Sequence, residues 1–228
     1  MNQAAPPIDG PRLEPADGQP ASGLIILLHG VAANGRQLLP LARFLRASLP
    51  GVAFVAPHAP VAIAGPALRS WSALSLPIGM DALAAGLAAN APLVDRLIDA
   101  ERARLQLSEG RVALVGFSQG AMMALQVGLR REEPLAAIVS IAGVLLARDR
   151  LEAIRARPPV TLIHGDQDPV IPIEEMEASA GALQAAHVPV TTVTVPGLGH
   201  AVDARVMEAV LTALVGVLGD DVWSHSRR

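Results

Sequence analysis

The sequence predicts an α/β fold: a mostly parallel central sheet with helices on both faces. Three observations predict it. Six short runs rich in Leu, Ile, Val and Ala recur, at 24–28, 52–56, 112–116, 136–142, 160–164 and 190–195. Most of them are apolar throughout rather than alternating, the mark of strands buried on both faces. Segments with helical spacing of apolar residues separate most of the runs, as the crossovers of a parallel sheet require.

Taken in order, residues 1–21 are rich in Pro, Gly and acids and are expected to form an irregular arm. LIILL at 24–28 is the first strand, and Leu38, Leu39, Leu41, Ala42 and Leu45 then make a helical stripe within 36–49. After the strand at 52–56 comes a Pro/Gly/Ala-rich stretch, 57–79, with no period. Residues 81–107 read as a helix with Leu93, Leu97 and Ile98 on one face, which Pro92 is expected to break or offset. The strand at 112–116 leads to a helix over 121–131. The strands at 136–142 and 160–164 follow, then a helix over 173–187, the strand at 190–195 and an amphipathic helix over 204–218. Residues 219–228 read as a solvated tail. No internal repeat and no second composition regime interrupts the series, so one domain over 22–218 accounts for the chain. Only 57–79 is long enough to roof a site, which leaves no large cap domain.

Composition narrows the function. A core in a chain of 228 residues hides roughly 70–75% of the unfolded surface, so no covalent staples are needed. Hydrophobic residues at 51% with a net charge of −3 exclude disorder for the bulk of the chain. That charge, with no basic run, argues against nucleic acid as a partner. Cys is absent, which removes disulfides, thiolate metal sites and a cysteine nucleophile, and suits the cytoplasm. With two Trp, three Phe and no Tyr, a site that stacks bases or sugars on aromatic faces is not expected. Residues 47–68 carry no charge, but Pro50, Pro57, Pro60 and Pro66 rule out a membrane-spanning helix there. The N-terminus has neither a basic start nor an apolar block, so no secretory signal is expected.

In open α/β sheets, ligands bind at the carboxyl ends of the strands. After the third strand stands Gly116-Phe117-Ser118-Gln119-Gly120, a G-x-S-x-G sequence between a strand and a helix. A turn that tight strains its central residue and pushes the serine hydroxyl into the cleft, and flanking glycines avoid clashes with nearby backbone. A serine needs a base and an orienting acid to act as a nucleophile. After the fifth strand, Asp166 and Asp168 both offer a carboxylate. After the sixth, Pro196-Gly197-Leu198-Gly199-His200 forms a flexible loop that can swing an imidazole over the cleft. The chain order Ser118, then Asp, then His200 is that of one hydrolase fold. The loop His29–Gly35 after the first strand can present the Val31 N–H, and Gln119 a second N–H, to a developing oxyanion. His29 and His164 read as loop buttresses, because neither stands at metal-ligand spacing.

The motifs HGVAANG, APHAP, VGFSQGAMMAL, HGDQDPVIP and PGLGH resemble those of the small carboxylesterase/phospholipase family of α/β-hydrolases, which includes the acyl-protein thioesterases. The likeness runs from about residue 22 to 218. It implies the α/β-hydrolase fold, Ser118 as nucleophile, His200 as base and Asp168 rather than Asp166 as the acid. It further implies oxyanion donors at Val31 and Gln119, and neither metal nor organic cofactor. Departures stand at Ala32 and Ala121, where the family often has Gly, and at Ser72 and Ala73, where aromatics usually follow the tryptophan.

The expected activity is hydrolysis of carboxylic esters with short to medium acyl chains, with thioesterase or lysophospholipase activity as alternatives on the same residues. A rival of another class, a non-catalytic ligand-binding protein of this fold, would be expected to lack one of the three residues. A small-molecule ester or thioester is the expected partner, and a homodimer is possible. Residues 57–79 are expected to set acyl selectivity, with Trp71 as the main wall and Val170 as a second contact. The competing expectation is that Trp71 pins its loop to the core.

Overall fold

The computed structural model describes residues 7–65, 67–73 and 79–219. Seven strands form the main sheet: β1 (Arg12–Leu13), β2 (Gly23–Leu28), β3 (Val52–Val55), β6 (Val112–Phe117), β7 (Ala137–Ile141), β8 (Val160–Gly165) and β9 (Val190–Val195). Their spatial order is β1-β3-β2-β6-β7-β8-β9. All neighbours run parallel except β1, which pairs antiparallel with β3.

The all-apolar runs have a direct cause in this order. Every residue of β2 is buried. Leu24, Ile26 and Leu28 face one core cluster, and Ile25 and Leu27 face the other. Helices α2 (Met80–Leu105), α3 (Gln119–Gly128) and α4 (Ile173–Ala185) cover the first face, through residues such as Leu87, Met123 and Leu183. Helices α1 (Leu39–Ser48) and α5 (Ala204–Leu218) cover the second, through Leu41, Leu45, Val210 and Leu214. The fold is an α/β-hydrolase sheet, with no large cap among the described residues. Among the described residues, no helix is long and apolar enough to cross a membrane.

Three expectations are corrected. Pro92 neither breaks nor offsets its helix, because α2 is continuous across it. Pro92 and Ala88, whose carbonyl the proline leaves without its helical donor, are both exposed, on the side of the helix that solvent can reach. Buried Leu87, Ala91, Leu93, Val94, Leu97 and Ile98 hold the helix to the sheet on either side of it. The N-terminal arm is not wholly irregular, since β1 extends the sheet. Arg12 fastens it to α2 through a 2.8 Å bond to the buried Glu101. Within 57–79, β4 (Val61–Ala62) and β5 (Arg69–Ser70) form a small antiparallel hairpin. Pro66 and 74–78 of that stretch, and all but Gly219 of the expected tail, lie outside the described residues.

Candidate active site

The loops after β2, β6, β8 and β9 meet at one edge of the sheet. Ser118 stands between β6 and α3 with φ 53° and ψ −119°, a conformation costly for any residue with a side chain. The strand end and helix start come so close that glycine is required on both sides. A Cβ at Gly116 would lie 2.2 Å from the Gly120 carbonyl oxygen, and one at Gly120 would lie 2.0 Å from that of Leu28. The Ser118 N–H is tied to the Ile141 carbonyl at 2.8 Å, which anchors the turn to β7.

His200, on the loop after β9, places Nε2 2.9 Å from Ser118 Oγ. Its Nδ1 lies 2.7 Å from Asp168 Oδ2. The carboxylate requires the proton on Nδ1 of the neutral ring, which leaves Nε2 free to accept from the serine. The ring packs against Phe117, with centroids 4.9 Å apart. Asp168 is fixed from its other oxygen: Oδ1 accepts the N–H groups of Val170 at 2.8 Å and Ile171 at 2.9 Å. Burial pushes the Asp168 carboxyl up, but the Ile171 N–H, His200 and the Val170 N–H outweigh it and hold the group below the usual carboxylate range.

Asp166 reaches beyond its own turn. Its Oδ1 accepts the Gly197 N–H at 2.6 Å and so ties the end of β8 to the loop that carries His200. His164 buttresses as expected: its Nε2 lies 2.9 Å from the Ile171 carbonyl. The same nitrogen lies 3.4 Å from Asp168 Oδ2.

Gln119 opens α3, so its N–H belongs to the first turn, whose donors have no acceptor within the helix. Its side chain does a second job that the sequence did not reveal. Oε1 accepts the Trp71 N–H at 2.8 Å and lies 3.0 Å from Ser70 Oγ. Val31 sits on the exposed loop after β2, followed by Ala32 at φ 55°. That left-handed conformation accounts for the glycine usual there in the family the motifs resemble. At Ala121 the explanation is spatial, because a Cβ on the facing Gly143 would lie 2.4 Å from the Ala121 methyl.

Trp71 does not wall an open groove. It is wholly buried, and its indole N–H donates to the His29 carbonyl at 2.7 Å. Burial and the hydrogen bond fit the competing expectation that it pins its loop to the core. Val170 is 63% exposed beside the Asp168 turn. A groove of about 420 Å³ adjoins His200 and Val31, lined by Leu38, Pro40, Leu41, Phe117, Val202 and Met207 among others. A larger hollow lies away from it, between Ile8 and Arg12 of the arm and α2. Among the described residues no three His, Asp or Glu side chains gather as a metal site would require.

A mostly parallel sheet with a serine in a strand–helix elbow, bonded to a histidine that is itself bonded to an aspartate, defines the α/β-hydrolase class. Known proteins narrow the class. Residues 14–217 match the family model described as phospholipase/carboxylesterase, and the chain belongs to that family. It is a carboxylic ester hydrolase of the serine type. Esterase YpfH of Escherichia coli is 29% identical over 197 residues, covering 86% of this chain and 83% of its own. An acyl-protein thioesterase 1 of Cryptococcus neoformans is 28% identical over 172 residues, covering 70% and 71%. The crystal structure of esterase PE8 superposes with a TM-score of 0.88 at 35% identity, covering 93% of this chain and all of that one.

Proposed function

We propose that Ser118, His200 and Asp168 hydrolyse uncharged carboxylic esters of short to medium acyl chain through an acyl-enzyme. The observation that carries this is the unbroken hydrogen-bonded chain from Asp168 Oδ2 through His200 to Ser118 Oγ, at 2.7 and 2.9 Å. His200 Nε2 takes the hydroxyl proton as Ser118 Oγ attacks the ester carbonyl. Asp168 keeps the ring in the tautomer that can accept that proton and stabilises the imidazolium. The N–H groups of Val31 and Gln119 hold the tetrahedral oxyanion, each worth roughly 3–4 kcal/mol of barrier. The imidazolium then protonates the departing alcohol. Water, activated by the same ring, attacks the acyl-enzyme and releases the acid.

The groove lined by Leu38, Leu41 and Met207 takes the apolar part of the ester. Its size, about 420 Å³, fits a small or medium group. A thioester reacts by the same steps, a reading favoured by the similarity to acyl-protein thioesterase 1. The chemistry calls for no cofactor. We assign the work to one domain over 22–218 and to the cytoplasm, which the Cys-free sequence suits.

The test is Ser118→Ala assayed on p-nitrophenyl esters graded by acyl length, beside labelling of the wild type by a fluorophosphonate. The variant should lose on the order of 10⁵–10⁶ in kcat with an unchanged fold, and the probe should label wild type alone. A variant that keeps a tenth of the activity defeats the assignment.

A further inference from the structure

We infer that His29 and His58 form a reciprocal clasp whose task is to aim the Val31 N–H, which makes both of them positioning residues for the reaction. The inference rests on the reading of Val31 as an oxyanion donor. That loop must hold one N–H steady, yet it offers few side-chain anchors near the donor. Val31 is 40% exposed, and its neighbours are Gly30 and Ala32.

The loop is instead held at its two ends by imidazoles. His29, at its start, accepts the Ala59 N–H on Nε2 at 3.0 Å. His58, on the segment that carries Ala59, accepts the Gly35 N–H on Nδ1 at 3.1 Å, at the loop's other end. Each segment lends a histidine and takes back a backbone donor. The contact between them is close: a Cβ on Gly35 would lie 1.8 Å from the Ala56 carbonyl oxygen.

The clasp acts on the donor through peptide geometry. Because His29 Nε2 accepts, the ring proton stands on Nδ1, which donates to the Gly30 carbonyl at 2.7 Å. The Gly30 C=O and the Val31 N–H belong to one planar trans peptide and point in opposite directions. Fixing the carbonyl on one side therefore fixes the N–H on the other. Trp71 steadies the residue twice, since its indole N–H donates to the His29 backbone carbonyl at 2.7 Å and its ring lies 5.3 Å from the imidazole, centroid to centroid.

Both rings must be neutral to accept from backbone N–H groups, and their surroundings keep them so. Burial lowers His29 to about 4, aided by His58 and Arg69 and opposed by its bond to Gly30. Partial burial lowers His58, aided by Arg36 and Arg69 and opposed by Asp9.

The test compares His58→Ala, which removes the acceptor, with His58→Asn, whose amide oxygen replaces Nδ1. Turnover of p-nitrophenyl butyrate, affinity for an alkyl boronic acid that forms a tetrahedral adduct on Ser118, and the thermal melt are measured for each. Complete loss of an oxyanion donor costs about 10²–10³ in kcat, so a misaimed one should cost about 10–30-fold. Expected for His58→Ala is that loss in kcat with KM within about twofold, a matching loss of boronate affinity, a cooperative melt, and recovery of most of the kcat in His58→Asn.

Wild-type kcat and boronate affinity in His58→Ala would overturn the clasp. So would a rise in KM alone, a loss of cooperative melting, or a loss that His58→Asn does not restore. Ser118→Ala is run alongside: if it turns over ester and binds the boronate as wild type does, the catalytic reading itself fails, and the clasp has no donor to aim.

Discussion

Replacing Trp71 by Ala separates its two expected roles. The indole is wholly buried, and burying a side chain of that size removes roughly 200–250 Å² from water. At 25 cal/mol per Å² the upper figure is about 6 kcal/mol, and measured Trp-to-Ala losses in cores run about 3–5 kcal/mol. The His29 carbonyl, bonded to the indole N–H at 2.7 Å, loses its partner, which adds about 1–3 kcal/mol if no water reaches it. The sum, about 4–8 kcal/mol, corresponds to a fall in Tm of roughly 10–30 °C in a chain of this size. Urea denaturation gives the free energy, and an ester panel graded by acyl length gives the selectivity. The expected result is a large loss of stability, some loss of kcat as the His29 loop loosens, and an unchanged order of preference among acyl lengths. A variant as stable as wild type that prefers longer acyl chains would refute the reasoning and return Trp71 to the groove.

Asp168→Asn should lower kcat by about 10⁴, because an amide favours the wrong imidazole tautomer, whereas Asp166→Asn keeps an oxygen for Gly197 and should cost only a few-fold; equal losses would overturn the choice of acid. Ala32→Gly relieves the positive φ at 55° and should raise stability by about 0.5–1 kcal/mol with activity kept, so a lower Tm would count against the strain. Acid should weaken the fold ahead of the carboxylate range. His29 falls from 6.5 to about 4 on folding, so between those values the unfolded chain binds a proton that the folded one does not. Stability is then fully present above 6.5 and drops by roughly 3 kcal/mol as pH falls to 4. The lowered His58 acts in the same direction. Urea midpoints at several pH values check this, and a flat profile in wild type, or an equally steep one in His29→Gln, contradicts it.

The parts of this molecule legible in the sequence are those where a residue type has one physical use. An unbroken apolar run such as LIILL admits little but a strand covered on both faces, and β2 lies within one residue of the expected bounds. Glycines at 116 and 120 announce the elbow, because contacts near 2 Å leave no room for a side chain. What stayed hidden depends on orientation or distant partners. Position alone left Asp166 and Asp168 both open and the family likeness chose Asp168, but nothing in the sequence showed that the N–H groups of Val170 and Ile171 turn it toward His200. The Gln119 amide meets Trp71 across 48 positions, and His58 meets Gly35 across 23. No local pattern encodes such pairings, although the placement of His29 and His58 just past two adjacent strands was a usable hint. Pro92 misled because its effect depends on which way it faces, and it faces water.

The close approach of Gly143 to Ala121 has a consequence for how this site can diverge. The two positions share room for a single methyl group, and Ala121 holds it. A methyl added at 143 while Ala121 remains would collide at 2.4 Å beneath the elbow. With position 121 reduced to glycine, the nearest remaining atoms would be Ser140 Oγ at 3.0 Å and the Ser118 carbonyl oxygen at 3.3 Å, tight contacts that a small shift relieves. The substitutions are therefore ordered: the loss at 121 must precede the gain at 143. A library that varies the loop after β7 on the present background misses the side chain at 143 that the backbone can hold once 121 is glycine, and random mutagenesis one step at a time will read Gly143 as immutable when it is merely conditional.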